Sequence, residues 1–303
     1  MRLRARDLRG AVVVITGASS GLGRATAEAF ARHGTRLVLA ARTEPALHDT
    51  AAACRAAGAD ALVVPTDVSD PEQVDRLRRR AVEAHGRIDV WVDAAGVLVA
   101  GRFGDEPVED VQQLVATNVV GPLLGSRAAL GTFEAQGWGT LINVSSLLAI
   151  VPNPVVPTYV MSKFAVRGLT LSLRQLVAHQ RGIDVCDVMP GPIDTPLFAR
   201  AANHTGRRLR AIPPATAPER VAAGIVACAR RPRRETTVGV ASHAILVAHR
   251  LAPRATERVV AVAAGALITT REPAEPTSGA VHTPVPAGRT HGGWRRGPLR
   301  GTP

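Results

Sequence analysis

The chain has 303 residues and a net charge of +12 at pH 7. Hydrophobic residues make up 46% and aromatics 3%, which permits a large core built of Ala, Val and Leu and argues against an aromatic-rich β-sandwich. The three cysteines, Cys54, Cys186 and Cys228, form no CxxC or Cys/His cluster, so no metal centre or disulfide framework is indicated and a reducing, cytoplasmic setting is expected.

In chain order, the opening run at 11–16 (AVVVIT) is short, β-branched and bounded by glycine. It reads as a buried strand and not as the apolar core of a signal peptide. Strand-like runs recur at 36–40, 61–65, 88–92, 140–145, 183–189 and 236–240. Helical patterns separate them at 21–33, 44–57, 71–85, 107–136, 157–181 and 218–230. Pro71 and Pro218 stand where first helical turns begin, where a missing N–H costs nothing. Strand and helix in alternation imply an α/β fold, a parallel sheet with right-handed crossovers. The strands are continuous apolar runs, as a sheet covered on both sides requires.

This domain is expected to span residues 1–241. Two further helices, 242–251 and 254–269, form a C-terminal extension over 242–270. The second ends in only ten apolar residues, too few to span a bilayer. Docking on the domain, an oligomer interface and peripheral membrane contact all remain open for it. Residues 271–303 are rich in Pro, Gly, Thr and Arg without apolar periodicity, which predicts a disordered tail. The arginines, including Arg78–Arg80, Arg207–Arg210 and Arg230–Arg234, lack an aromatic stacking platform, so no nucleic-acid partner is inferred.

The loop Thr16-Gly17-Ala18-Ser19-Ser20-Gly21-Leu22-Gly23 joins the first strand to the first helix. Its G-x-x-x-G-x-G spacing suits a dinucleotide. Gly17 permits a tight turn, Gly21 lets backbone approach a pyrophosphate, and Gly23 allows the helix to pack closely on the strand. The second strand ends Ala40-Ala41-Arg42 with no carboxylate to hold ribose hydroxyls. Arg42 could instead pair with a 2′-phosphate, which favours NADP over NAD; a simply solvated Arg42 is the alternative. Asp67 and Val68 follow the third strand, where Asp67 could accept from the adenine amino group or cap the next helix, a task for which Asp70 is better placed.

The chain contains one tyrosine and one lysine, and both fall in Tyr159-Val-Met-Ser-Lys163. Four residues apart on a helix, they share one face. A free phenol titrates near pH 10, and a neighbouring ammonium would lower that value. Tyr159 is then a general acid for carbonyl reduction or a base for alcohol oxidation. Ser145 and Ser146 end the fifth strand at its carboxyl edge, where ligands bind in open parallel sheets. Either can cap the strand end, and Ser146 can also polarise a carbonyl.

Together TGASSGLG (16–23), DAAG (93–96), Asn118, Ser146, YVMSK (159–163) and PGPIDT (190–195) resemble the short-chain dehydrogenase/reductase family over residues 8–240. The resemblance implies a Rossmann-like doubly wound parallel sheet of about seven strands with helices on both faces. It implies Ser146, Tyr159 and Lys163 as catalytic residues, with Asn118 as the fourth, holding a water that links the lysine to solvent. It implies that Ala94, Ala95 and Gly96 lie beside the adenosine ribose, and that Pro190, Gly191, Ile193 and Thr195 line the nicotinamide. One departure is Asp93, where the family motif begins with Asn. A carboxylate cannot donate a hydrogen bond unless protonated.

Val97, Leu98, the LLAIVPNPVVPT run after Ser146, Leu197 and Phe198 would surround the substrate. The segment 196–215 would cover it. Their apolar character points to a small hydrophobic carbonyl or alcohol substrate. A homo-oligomer is expected. A non-catalytic dinucleotide-binding protein, or an epimerase or dehydratase on the same fold, are the competing readings.

Overall fold

The computed structural model describes residues 6–285 and 288–296. Seven strands pair in parallel: β1 (Val12–Thr16), β2 (Arg36–Ala41), β3 (Asp60–Pro65), β4 (Val90–Asp93), β5 (Gly139–Val144), β6 (Ile183–Pro190) and β7 (Glu235–Val238). Their order across the sheet is β7-β6-β5-β4-β1-β2-β3. The order reverses between β1 and β4, and a crevice opens at the carboxyl ends of those two strands.

Alternate side chains of each strand leave opposite faces, and both faces are covered. Val13, Ile15, Leu37 and Leu39 pack with Phe30 of α1 (Gly21–Ala31), Leu47 of α2 (Glu44–Ala56) and Val221 and Ile225 of α7 (Pro218–Arg230). Val12, Val14, Val38 and Trp91 pack with Leu77 of α3 (Pro71–His85) and Phe133 of α5 (Gly121–Gln136). Asp70 caps α3 by accepting from the Glu72 and Gln73 amides, and Pro71 occupies the first turn.

The continuous helix expected over 107–136 is interrupted. α4 (Val108–Val115) and α5 are joined by a π-turn over Ala116–Val120 that carries Asn118. The wider turn lets Asn118 reach across to Val97, a tertiary contact that helical periodicity does not encode. α6 (Pro157–Leu176) carries Tyr159 and Lys163 and ends five residues before the expected 181.

Beyond the sheet, α8 (Val240–Leu251) and α9 (Pro253–Leu267) dock on the domain near the crevice, with Ile245, Leu246 and Val260 packed on Leu147 and Val151. Among the described residues no helix is long and apolar enough to cross a membrane.

Thr269–Pro273 then pairs antiparallel with Arg207–Leu209, so the segment that composition marks as a disordered tail is anchored at its start. Its described continuation, 274–285 and 288–296, runs back over the crevice; residues 286–287 and 297–303 lie outside the described residues. The contacts that hold it are mostly backbone groups, which leave no composition signal. The apolar contacts are those of Val281, buried with Val99, Leu114 and Ala202, and of Trp294, edge-on to Phe198 with ring centres 6.4 Å apart.

Candidate active site

The glycine loop turns sharply between β1 and α1. Gly17 has φ +70°, and a Cβ there would sit 2.8 Å from the Ala95 Cα. A Cβ on Gly23 would lie 2.1 Å from the Gly17 carbonyl oxygen, so only glycine allows the helix start to close on the loop. Thr16 Oγ1 accepts from the amides of Ala94 and Ala95, tying the loop to the end of β4. Among the described residues the first-turn amides of Leu22 and Gly23 meet no acceptor, whereas that of Gly21 donates to the Arg289 carbonyl. Free amides beside a glycine-built floor fit the phosphates of a dinucleotide.

Around this loop lies a cavity of about 390 Å³. Its walls include Gly17, Ser19, Ser20, Gly21, Leu22 and Gly23, then Arg42, Asp67, Val68, Ala94, Ala95 and Gly96. They continue through Ser146, Tyr159 and Lys163 to Pro190, Gly191, Ile193 and Thr195. Thr16 lies just behind, buried at the end of β1. Asp67 holds the amide and hydroxyl of Ser69, which shapes the turn after β3. At the far end the cavity is apolar, walled by Leu98, Leu148, Val156, Leu197, Phe198 and Ile212, and by Ile245, Val260 and Ala264 of α8 and α9. The C-terminal helices therefore belong to the cavity wall.

Lys163 and Tyr159 share the buried face of α6. The lysine Nζ donates to the Val144 carbonyl at 3.0 Å and lies 5.6 Å from the tyrosine ring centre. Burial lowers the Lys163 ammonium to about 8, although Asp187 pulls it back up. Burial pushes the Tyr159 phenol above its ordinary value. The sequence-based expectation of a depressed phenol is therefore opposed by burial, which is the cause that acts on Tyr159 here.

Ser146 lies at the carboxyl end of β5 and its hydroxyl accepts from the Leu148 amide at 3.1 Å. It both caps a short turn and lines the cavity, so the two readings of this serine are compatible. Asn118 is fully buried; its Nδ2 donates to the Val97 carbonyl at 2.9 Å and to Ser162 Oγ at 3.2 Å, and its Oδ1 accepts from the Val97 amide at 2.8 Å. One Oδ1 lone pair remains uncommitted among these contacts.

Two residues escaped the sequence reading. Asp187 on β6 accepts from Ser145 Oγ at 2.5 Å directly behind the site. Burial raises its carboxyl to about 6 despite the Ser145 bond. Arg200, after the nicotinamide segment, donates to Ser20 Oγ at 3.2 Å. An acidic residue inside an apolar strand, flanked by Cys186 and Val188, was a signal available for Asp187; Arg200 carried none among so many arginines.

Residues 11–206 match the family described as short chain dehydrogenase. The chain belongs to the short-chain dehydrogenase/reductase family. It is an oxidoreductase of the kind that acts on CH–OH or C=O groups with a nicotinamide dinucleotide. Among its relatives is the uncharacterized oxidoreductase YxnA of Bacillus subtilis, 37% identical over 266 residues, covering 86% of this chain and 74% of that one. A short chain dehydrogenase/reductase from Burkholderia phymatum, solved in complex with NAD, superposes with a TM-score of 0.75 at 28% identity, over 90% of this chain and 99% of the other. An alcohol dehydrogenase from Thermococcus sibiricus, complexed with 5-hydroxy-NADP, gives a TM-score of 0.65 at 26% identity, over 76% and 97%. In this short-chain dehydrogenase/reductase the motif departure at Asp93 falls on a buried carboxyl at the end of β4.

Proposed function

We propose that this enzyme is an NADP(H)-dependent oxidoreductase acting on a small hydrophobic carbonyl or the corresponding alcohol, with Tyr159 as general acid and base. The observation that carries the reading is the single cavity that joins the glycine loop and Arg42 to Tyr159, Lys163 and an apolar far wall. Arg42 stands at the end of β2, where an acidic residue would repel a 2′-phosphate.

When bound, the dinucleotide supplies or accepts the hydride. The Ser146 hydroxyl donates to the substrate oxygen and draws charge onto it. The Tyr159 hydroxyl gives its proton to the forming alkoxide, and the Lys163 ammonium offsets the phenolate charge left behind. Burial holds the phenol protonated while leaving Lys163 near 8, so the free enzyme at neutral pH carries the phenol proton that reduction uses and the ammonium that offsets the charge left behind. Asn118 positions Val97 and Ser162 around that pair. The surrounding Leu and Val side chains exclude water and select apolar substrates.

A panel of hydrophobic ketones and alcohols, assayed with NADPH and NADH side by side, tests the reading. Turnover is expected with NADPH in preference to NADH, and Arg42→Ala is expected to erase the preference by roughly one to two powers of ten. Equal use of both cofactors by the wild type would reject the role of Arg42. Cofactor binding without turnover of any member would point to a binding protein.

Leu123, Met161 and Phe164 leave apolar surface on α5 and α6, which supports a homo-oligomer, measurable by light scattering. The three free, buried cysteines support a cytoplasmic setting.

A further inference from the structure

The C-terminal segment follows the cleft from end to end. At the adenosine end, the Arg42 guanidinium donates to the carbonyls of Ala280, Val281 and His282 at 3.1, 3.2 and 2.9 Å. At the glycine loop, the Gly21 amide donates to the Arg289 carbonyl at 2.8 Å and Arg24 donates to the Gly288 carbonyl at 3.1 Å. At the nicotinamide end, the Trp294 indole N–H donates to the Thr195 carbonyl at 2.9 Å, and the Trp294 amide donates to Asp194 Oδ1 at 2.8 Å. The three stations are the parts of the site assigned above to the adenosine 2′-phosphate, the pyrophosphate and the nicotinamide, the last by the family resemblance.

The segment roofs the cleft and does not fill it. Ala280, Pro284 and Val285 line the same cavity whose floor is Gly17, Gly96 and Lys163. The Leu22 and Gly23 amides beneath stay unmatched among the described residues. Arg42 has five N–H donors, and the three carbonyls engage its Nη1 and Nη2 groups, so Nε and one further Nη2 hydrogen remain for a phosphate. The anchor is specific: Val281 is fully buried, and His282 Nε2 donates to the buried Asp110 carboxylate at 2.7 Å. No Asp or Glu follows Glu275, so nothing acidic in the segment opposes a dinucleotide's phosphates.

We propose that residues 277–285 and 288–296 belong to a strap that closes over the bound dinucleotide, so that cofactor binding and strap docking reinforce each other. The proposal rests on the reading that the cofactor occupies this cleft. Cofactor enters and leaves when the strap lifts, and the docked strap slows release. Coupling of this kind is reciprocal: what the strap adds to cofactor affinity, the cofactor adds to strap docking.

Two measurements on the full chain and two variants test it. Trypsin cleavage after Arg289 and Arg295 requires that backbone to leave its hydrogen bonds; NADPH or NADH is expected to slow it on the order of tenfold. Removal of residues 277–303 is expected to weaken NADPH binding on the order of tenfold, through faster release measured by stopped-flow nicotinamide fluorescence. Gly288→Val keeps the full chain but puts side-chain carbon 2.3 Å from the Ser19 carbonyl oxygen, and should accelerate both cleavage and release. Faster cleavage on adding cofactor, with tighter binding after truncation, would overturn the strap in favour of a competing plug. Unchanged cleavage and equal binding by all three proteins would overturn the coupling and leave the proposed function standing. Absence of cofactor binding in all three would overturn both.

Discussion

Asp187 Oδ1 accepts the Ser145 hydroxyl at 2.5 Å, and its charge is felt by Lys163, the ammonium beside Tyr159. Burial alone would drive Lys163 further down; Asp187 is the group that raises it, leaving it near 8. The value of kcat/KM reports free-enzyme ionisations. For carbonyl reduction it should therefore fall as pH rises through about 8, where the ammonium is lost. Asp187→Asn removes the supporting charge and should move that fall to lower pH. A pH profile unchanged by the substitution would remove Asp187 from the catalytic electrostatics.

Tyr159→Phe should cost on the order of a hundred to ten thousandfold in turnover, the range of a general acid. Nicotinamide binding should persist, because the phenol lies beside the cavity floor and the glycine loop is untouched. Fluorescence titration of NADPH against the variant separates the two effects. Retained turnover would assign the proton to another group.

Asp93 also departs from its ordinary ionisation. Its Oδ1 accepts from the Trp91 indole at 2.9 Å and from Thr16 Oγ1 at 3.4 Å, while its buried Oδ2 meets no partner among the described residues. Burial raises the carboxyl to about 7, against hydrogen bonds from Trp91 and Thr16 that lower it. A folded-state value above the unfolded one means that the folded protein binds the extra proton. The associated stability is therefore present at low pH and is lost as pH rises through about 7. Asp93→Asn keeps an acceptor for Trp91 and replaces the orphan oxygen with a neutral amide. The stability gap between this variant and the wild type should widen by about 1 kcal/mol from pH 6 to pH 8, or about 2 °C in melting temperature. A pH-independent gap would mean that Asp93 stays in one protonation state.

The sheet was readable because β-branched runs bounded by Gly and Pro repeat at βα spacing, and because burial on both faces makes each run continuous. The site was readable where chemistry needs a rare residue: the sole Tyr and the sole Lys stand one helical turn apart. Asn118 was singled out only by the family resemblance, and its π-turn depends on Val97 and Ser162 across the crevice. The docked segment was opaque for a different reason. Arg42 and Gly21 bind carbonyl oxygens there, and every residue type carries a carbonyl. Asp93 was visible as a departure, but its protonation depends on burial, which the motif does not report.

Asp110 on α4 is wholly buried between two histidines, at 2.8 Å from His204 Nε2 and 2.7 Å from His282 Nε2. Burial opposes its charge, but hydrogen bonds from His204, His282 and Ser278 outweigh the penalty and hold the carboxyl below its ordinary value. A depressed folded value contributes stability that is complete above the unfolded carboxyl value, near pH 4, and is lost as pH falls below that towards the lower folded value. Asp110→Ala leaves both histidines without their acceptor and should cost about 3 kcal/mol. His282 is 42% exposed, so His282→Ala should cost about 1 kcal/mol or less in global stability. Its larger effect should be local: the segment loses an anchor, and tryptic cleavage after Arg289 should accelerate while the melting temperature barely moves. Equal losses of melting temperature in the two variants would show that Asp110 and His282 stabilise one cooperative unit, with no separately opening segment.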